Sequence, residues 1–255
     1  MSLPEPNTVT TAARNNHIIL GTKPHKEFTD FDTFNTPRYM AHNLARTEHM
    51  LIRTQSTTDT DAAAQRLVHN YVHNAQESDG SFEVVYISNN PHSHADLAIP
   101  VDKAEDVITN LHSEMSNRLK LAQQSQSPDW DHVLYGSTSH KDIEHNIYGL
   151  PPMRITRLVL VLDNTLDLLE YYGPKKTAQL LEPFFMHGRH TSIHVIQVMA
   201  NTNKAPSGTQ KLINDLQVAS NRIYHNTGLD VINTDEATWV ADNIIVHPTF
   251  NILEL

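Results

Sequence analysis

The 255-residue chain contains no cysteine. That absence excludes disulfide bonds, zinc–thiolate sites and cysteine nucleophiles, and it fits a reducing, cytoplasmic setting. No apolar run approaches the roughly 18 residues of a membrane span, and residues 1–16 are polar, without the apolar stretch of a signal peptide. Cations are also scarce, with 19 Lys and Arg against 29 Asp and Glu and a formal charge of −10. A general electrostatic footprint for DNA or RNA is therefore missing, and nucleic acid would have to find a local patch. Lys175 with Lys176, and Lys204 with Lys211, are the basic pairs near expected loops, and they read as solvated surface. Histidine is abundant, at 17 residues, so net charge should climb steeply below about pH 6.5. The 39% hydrophobic content is enough for one domain with a full central sheet.

Residues 1–16, rich in Pro, Asn, Thr and Ala, read as a flexible leader to a domain spanning 17–255. Short apolar runs at Ile18–Leu20 and Phe28–Phe34 suit a small hairpin or a paired edge. Strands are expected at His49–Ile52 and Phe82–Ile87, with a helix over Ala62–Asn74 between them. Asp102 followed by Glu105 resembles a capping box. It opens a helix whose Val107, Ile108, Leu111, Met115, Leu119 and Ala122 form an apolar stripe. Residues 123–152 are polar, with Pro and Gly, and read as a variable excursion. A strand at 157–162, a helix from about Pro174 to His187 and a strand at Ile193–Met199 follow. After these come a helix at Gly208–Gln217, a strand at Asn221–His225, a helix at Asp235–Asp242 and a strand at Phe250–Leu253. Strands alternating with helices give right-handed crossovers and a mostly parallel sheet, an α/β fold.

The tract with most chemical content is Arg157-Leu-Val-Leu-Val-Leu162, ending in Asp163 and Asn164. A continuous aliphatic strand is buried on both faces, and a carboxylate at its carboxyl end faces the ligand crevice of a parallel sheet. Further landmarks lie around it in a fixed order. Leu20-Gly21 precedes His49-Met50-Leu51-Ile52, and Glu114-Met115-Ser116-Asn117-Arg118 sits on the clearest helix. Asp167-Leu168-Leu169 follows the acidic strand end, Gly188-Arg189 precedes Ile193-His194-Val195-Ile196, and Asn221-Arg222-Ile223 opens the next strand. This succession resembles the motor domain of the FtsK/SpoIIIE/HerA family of hexameric DNA translocases, over about Ile18 to Ile245. The resemblance implies a three-layer RecA-like P-loop NTPase fold, with Val159–Asp163 as the Walker B strand.

Within that resemblance the phosphate-binding parts are degenerate. A phosphate loop needs glycines to let backbone N–H groups wrap phosphates, a Lys to neutralise them and a hydroxyl for magnesium. The corresponding segment, Thr54-Gln-Ser-Thr-Thr-Asp59-Thr60-Asp61, has no Gly and no Lys. Thr60 stands at the Lys position, and Asp59 and Asp61 would face the phosphates with like charge. One charge pair at an effective dielectric of about 20 is worth roughly 4 kcal/mol, so this exchange is costly to triphosphate binding. Asn164 replaces the family's catalytic Glu, and an amide cannot accept the proton of an attacking water. The polar sensor after the Ile-His strand reads Met199-Ala200-Asn201.

The resulting expectation is a pseudo-ATPase without a nucleotide or metal cofactor. It would act through protein contacts as a structural, assembly or regulatory subunit, with an active ATPase or further copies of itself in a ring as partner. Its degenerate pocket would be Thr54, Asp59, Thr60, Asp61, Asp163 and Asn164. Two alternatives are an active Mg-ATP-dependent DNA translocase with an atypical phosphate loop, and a non-catalytic DNA-binding module. His69 and His73 have the i, i+4 spacing of a zinc pair but no accompanying Glu, as expected by chance in so His-rich a chain. His92 and His94 read as a solvated turn. His187, His190 and His194 gather around a helix-to-strand turn, where the family resemblance implies packing near the sheet edge rather than ligation. Pro183-Phe184-Phe185-Met186 reads as a buried helix end in preference to a partner patch.

Overall fold

The computed structural model describes residues 17–22, 39–43, 49–53, 68–69, 71–73, 82–89, 98–130, 133, 157–199, 209, 211–212, 221–226, 229–232 and 249–252. They build one ten-stranded sheet. Its strands are β1 (His17–Thr22), β2 (Tyr39–Asn43), β3 (Met50–Arg53), β4 (Phe82–Ile87), β5 (Ala98–Ile99), β6 (Arg157–Leu162), β7 (Ile193–Met199), β8 (Asn221–Asn226), β9 (Leu229–Ile232) and β10 (Thr249–Ile252). The two long helices are α1 (Ala104–Gln124) and α2 (Thr165–Thr191). The spatial order is β2-β1-β10-β9-β8-β3-β7-β6-β4-β5. From β8 to β5 every neighbouring pair is parallel, whereas β9, β10, β1 and β2 extend the sheet as antiparallel strands.

The strand order fixes where the layers lie. The chain leaves β3 toward β4, skipping β7 and β6, and then steps back through β6 and β7 and past β3 to β8. Right-handed crossovers travelling in opposite directions place their helices on opposite faces, so the helical residues 68–69 and 71–73 oppose α1 and α2. Burial agrees with this layering. Leu158, Leu160 and Leu162 join Ile108, Leu111 and Met115 of α1 and Leu168, Leu181 and Phe184 of α2 in one core cluster. The alternate residues Val159 and Val161 lie outside that cluster and are equally inaccessible, as are Met50 and Tyr71. A strand buried on both faces has no polar alternation, which is why β6 reads as an unbroken aliphatic run. Each such side chain contributes about 1.5–3 kcal/mol on burial.

α1 carries the expected stripe, with Ile108, Leu111, Met115 and Ala122 buried. The capping box expected from Asp102 and Glu105 does not form, since the helix N-cap, Lys103, has no side-chain cap bond. A short 3-10 turn (Val101–Lys103) precedes the helix. Its capping bonds come from distant residues: Asn89 Oδ1 accepts from Val101 N–H at 3.1 Å, and Tyr172 Oη accepts from Glu105 N–H at 3.2 Å while donating to Val101 O at 2.7 Å. The first residues of the excursion at 123–152 are ordered against the body, with Trp130 and Val133 fully buried; residues 134–156 lie outside the described residues.

α2 is longer than its periodicity suggests. It starts at Thr165, bends at Gly173 (φ 74°, ψ 164°), resumes at Pro174 and ends at Thr191. Gly173 supplies a positive φ that other residues adopt only with strain, and Pro174 is suited to a first helical turn. The buried Thr177 hydroxyl lies within hydrogen-bonding distance of Leu168 O (3.0 Å) and Gly173 O (2.9 Å), holding the bend. β1 pairs with β2, so the hairpin partner is Tyr39–Asn43; Phe28–Phe34 lies outside the described residues. The same holds for the helix expected at Asp235–Asp242 and for most of those at Ala62–Asn74 and Gly208–Gln217.

Candidate functional site

The carboxyl ends of β3, β7 and β6 adjoin at one edge of the sheet, where the crossovers on either side of β3 depart in opposite directions. Such a switch point is where parallel sheets receive ligands. Register places Arg53 level with Met199, and Leu162 level with Gln197, so Asp163 stands at this rim. The residues that would form a phosphate loop, Thr54, Asp59, Thr60 and Asp61, lie outside the described residues, as do Ala200 and Asn201.

Asp163 is 3% exposed. Its Oδ2 accepts a hydrogen bond from the Ser88 hydroxyl at 2.6 Å, and its N–H donates to Ile87 O at 3.0 Å, so the residue is bound to the end of β4 on both backbone and side chain. Burial pushes its carboxyl pKa up, and hydrogen bonds from Ser88 and Tyr86 pull it partway back. Asn164 is the N-cap of α2. Its Oδ1 accepts from Leu166 N–H at 3.2 Å and its Nδ2 donates to Asp167 Oδ1 at 2.6 Å. Both ends of the amide are thus engaged within the first helical turn. Gln197, fully buried on β7, accepts from the Thr165 hydroxyl at 3.4 Å. The sequence offers one signal for it, as one of two polar residues, with His194, in a strand that is otherwise apolar.

Arg118, His49 and Gly188 lie at the opposite, amino end of the sheet. Arg118 is 0% exposed; it donates to Glu114 Oε1 and to Thr191 O, each at 2.9 Å, and lies 5.3 Å above the Trp130 ring. His49 Nδ1 accepts from Val195 N–H at 3.0 Å, and its ring meets Phe185 edge-on at 4.8 Å. Gly188 lies against both His49 and Ile193 O. The histidines at the helix-to-strand turn divide, with His194 buried on β7 and His187 and His190 exposed on α2. In the Pro183–Met186 stretch, Phe184 is buried and Met186 is 70% exposed. Among the described residues no cluster of His, Asp or Glu could hold a metal ion, and no helix is long and apolar enough to cross a membrane.

No family model and no curated protein matches the chain at the level of sequence. Solved structures match it in fold. The monomeric form of the pCW3 conjugation coupling protein TcpA, solved with ATPγS, superposes with a TM-score of 0.53 at 13% identity, over 83% of this chain and 55% of that one. ATPases 2 and 3 of EssC from Geobacillus thermodenitrificans give 0.51 at 14% identity, over 82% and 37%. The cytoplasmic domain of the type VII secretion ATPase EccC from Thermomonospora curvata gives 0.56 at 15% identity, over 89% and 26%. The chain therefore spans about half the length of the first of these and less of the others. Together with the strand order, these likenesses show that the chain has a RecA-like three-layer α/β fold, shared with these ATPase domains.

Proposed function

We propose that this chain is a pseudo-ATPase that keeps the motor scaffold and works through protein contacts, as an assembly or regulatory subunit. The observation that carries this reading is the state of the two residues at the end of β6. Asp163 is buried and bonded to Ser88, and Asn164 is bonded along its own helix, so neither side chain is offered to a magnesium-bound nucleotide or an attacking water. The Gly-free, Lys-free segment Thr54–Asp61 supports the same reading from composition. TcpA, of like fold, was solved with ATPγS, so the fold itself is compatible with nucleotide; the local residues argue against it here.

The test is a thermal-unfolding titration with Mg-ATP. A ligand at about 100 times its Kd stabilises by about 2.7 kcal/mol, which would raise Tm by roughly 5–11 °C in a domain of this size. The expected result is no shift up to millimolar nucleotide. A saturable rise would overturn the proposal in favour of an active or nucleotide-gated ATPase.

The buried carboxyl provides an independent check. A raised folded-state pKa means that the folded protein holds a proton which the unfolded chain has released, so stability falls as pH rises from the ordinary carboxylate range through the raised value. Asp163→Asn keeps an acceptor for Ser88 and removes that burden. It should be at least as stable as the parent at pH 7, with the advantage closing as pH falls through the raised value to the ordinary carboxylate range, read as Tm against pH. A marked loss of stability at pH 7 would mean that the negative charge has a partner.

A further inference from the structure

The last turns of α2 carry a thioether and two imidazoles on their outer side. Met186 is 70% exposed, and His187 and His190 are exposed with it. The helix is regular through this stretch, because its departure from helical φ/ψ is at Gly173, well before it. His190 therefore stands three residues after His187 and four after Met186. Those are the two spacings that make side chains neighbours on a helix, with Cβ atoms about 5–6 Å apart. Cα–Cβ bonds in a helix tilt toward its amino end, so that of His190 is inclined over the turn that bears the other two. His194, the third histidine of this region, is buried on β7 and takes no part.

We infer that Met186, His187 and His190 form a surface site for a soft monovalent cation, copper(I) or its analogue silver(I). The donor set selects the ion. A thioether suits copper(I) and imidazole serves copper as well, whereas hard divalent ions take oxygen ligands. Two imidazoles fall short of the three protein ligands of a catalytic zinc site, and among the described residues no group of three His, Asp or Glu is placed to supply them. A soft monovalent ion needs fewer donors, and a sulfur–nitrogen pair across it is already a complete linear set. Donor–metal bonds of roughly 2.0–2.3 Å put such a pair about 4 Å apart, a gap that the flexible methionine chain can close from an i, i+4 start. The carboxyl end of a helix also favours a cation. Arg189 on the same turn adds a positive charge, which repels a monovalent ion half as strongly as a divalent one. With no cysteine in the chain, no thiolate competes. The site is at the amino end of the sheet, so it is independent of whether nucleotide binds at the Asp163 rim.

The test uses the whole chain, isotopically labelled at its methionine methyl groups and titrated with silver(I), which needs no reductant. The Met186 resonance, assigned by its loss in Met186→Leu, is expected to shift first among the seven methionines. Copper(I), kept reduced by ascorbate, is then withdrawn by a chromogenic chelator. Met186→Leu and His190→Gln should each lower its affinity at least about tenfold. Both positions are exposed, so circular dichroism and Tm of the variants should match the parent. Zinc(II) serves as the contrast, and its affinity should be the same in the parent and in Met186→Leu. A Met186 methyl that silver leaves unmoved, or a copper(I) affinity that survives Met186→Leu, would overturn the proposal, since the ion would then belong to other side chains. So would a zinc(II) affinity that falls as far as that of copper(I) in Met186→Leu, because the methionine would then act through the shape of the turn and not as a soft donor.

Discussion

Arg118→Ala is expected to cost about 3–5 kcal/mol in urea unfolding, a large part of the roughly 5–15 kcal/mol that holds a domain folded. The side chain has no exposure, and three different groups depend on it. Its Nε bonds Glu114, whose side chain is only 17% exposed. Its Nη1 bonds Thr191 O at the last residue of α2, where the helix dipole favours a cation. Its guanidinium face covers Trp130. Truncation leaves a nearly buried carboxylate without its cation and an orphan helix-end carbonyl, and it opens a void beside an indole. Arg118→Lys should fall between parent and Ala, because a point cation cannot serve Glu114, Thr191 and the ring together as a planar fork does. If the alanine variant loses less than about 1 kcal/mol, the three contacts are incidental.

This placement gives the motif a structural role at the end of the sheet away from Asp163. Glu114, Met115 and Arg118 join α1 to the end of α2, and His49 with Gly188 joins β3 to the turn before β7. All of these lie at the amino end of the sheet, and their identities are demanded by packing and hydrogen bonding. Asp163 and Asn164 lie at the other end, where a ligand would set the demand.

The central strand β6 was legible because burial on both faces leaves an uninterrupted apolar record from Leu158 to Leu162, and α1 because its stripe has the helical period. The first half of α2 was hidden. Gly173-Pro174 reads as the break before a helix, and here it is a bend within one. Asn164 was informative for the charge it lacks, yet Asn164-Thr-Leu-Asp167 is also a helix-start signature, and that is the role it fills. The caps of α1 could not be read, because Asn89 and Tyr172 reach them through space from other elements. Trp130 in a polar stretch showed nothing of its place beneath Arg118. At the rim, the strand end marked Asp163 as a site residue, but its bond to Ser88, 75 residues away, is a product of the β4–β6 register.

Gly188→Ala is the second large effect, and helix propensity alone gives it the wrong sign. Replacing Gly by Ala within a helix should stabilise by about 0.5–1 kcal/mol. Here a Cβ would run into Ile193 O and approach His49 Cε1 to 2.8 Å. Neither neighbour is free to yield. Ile193 is the first residue of β7, paired in register with Leu158. The His49 ring is held by the Val195 N–H and by Phe185. Overpacking of this kind costs about 1–3 kcal/mol, and a clash with backbone belongs at the upper end, so the net effect is a loss of roughly 1–2 kcal/mol. The cycle with His49→Ala separates the two contacts: removing the ring relieves the side-chain clash and leaves the carbonyl, so the double variant should recover only part of the loss. Stabilisation by Gly188→Ala in the parent background would show that α2 and β7 stand further apart than this, and that the glycine is there for another reason.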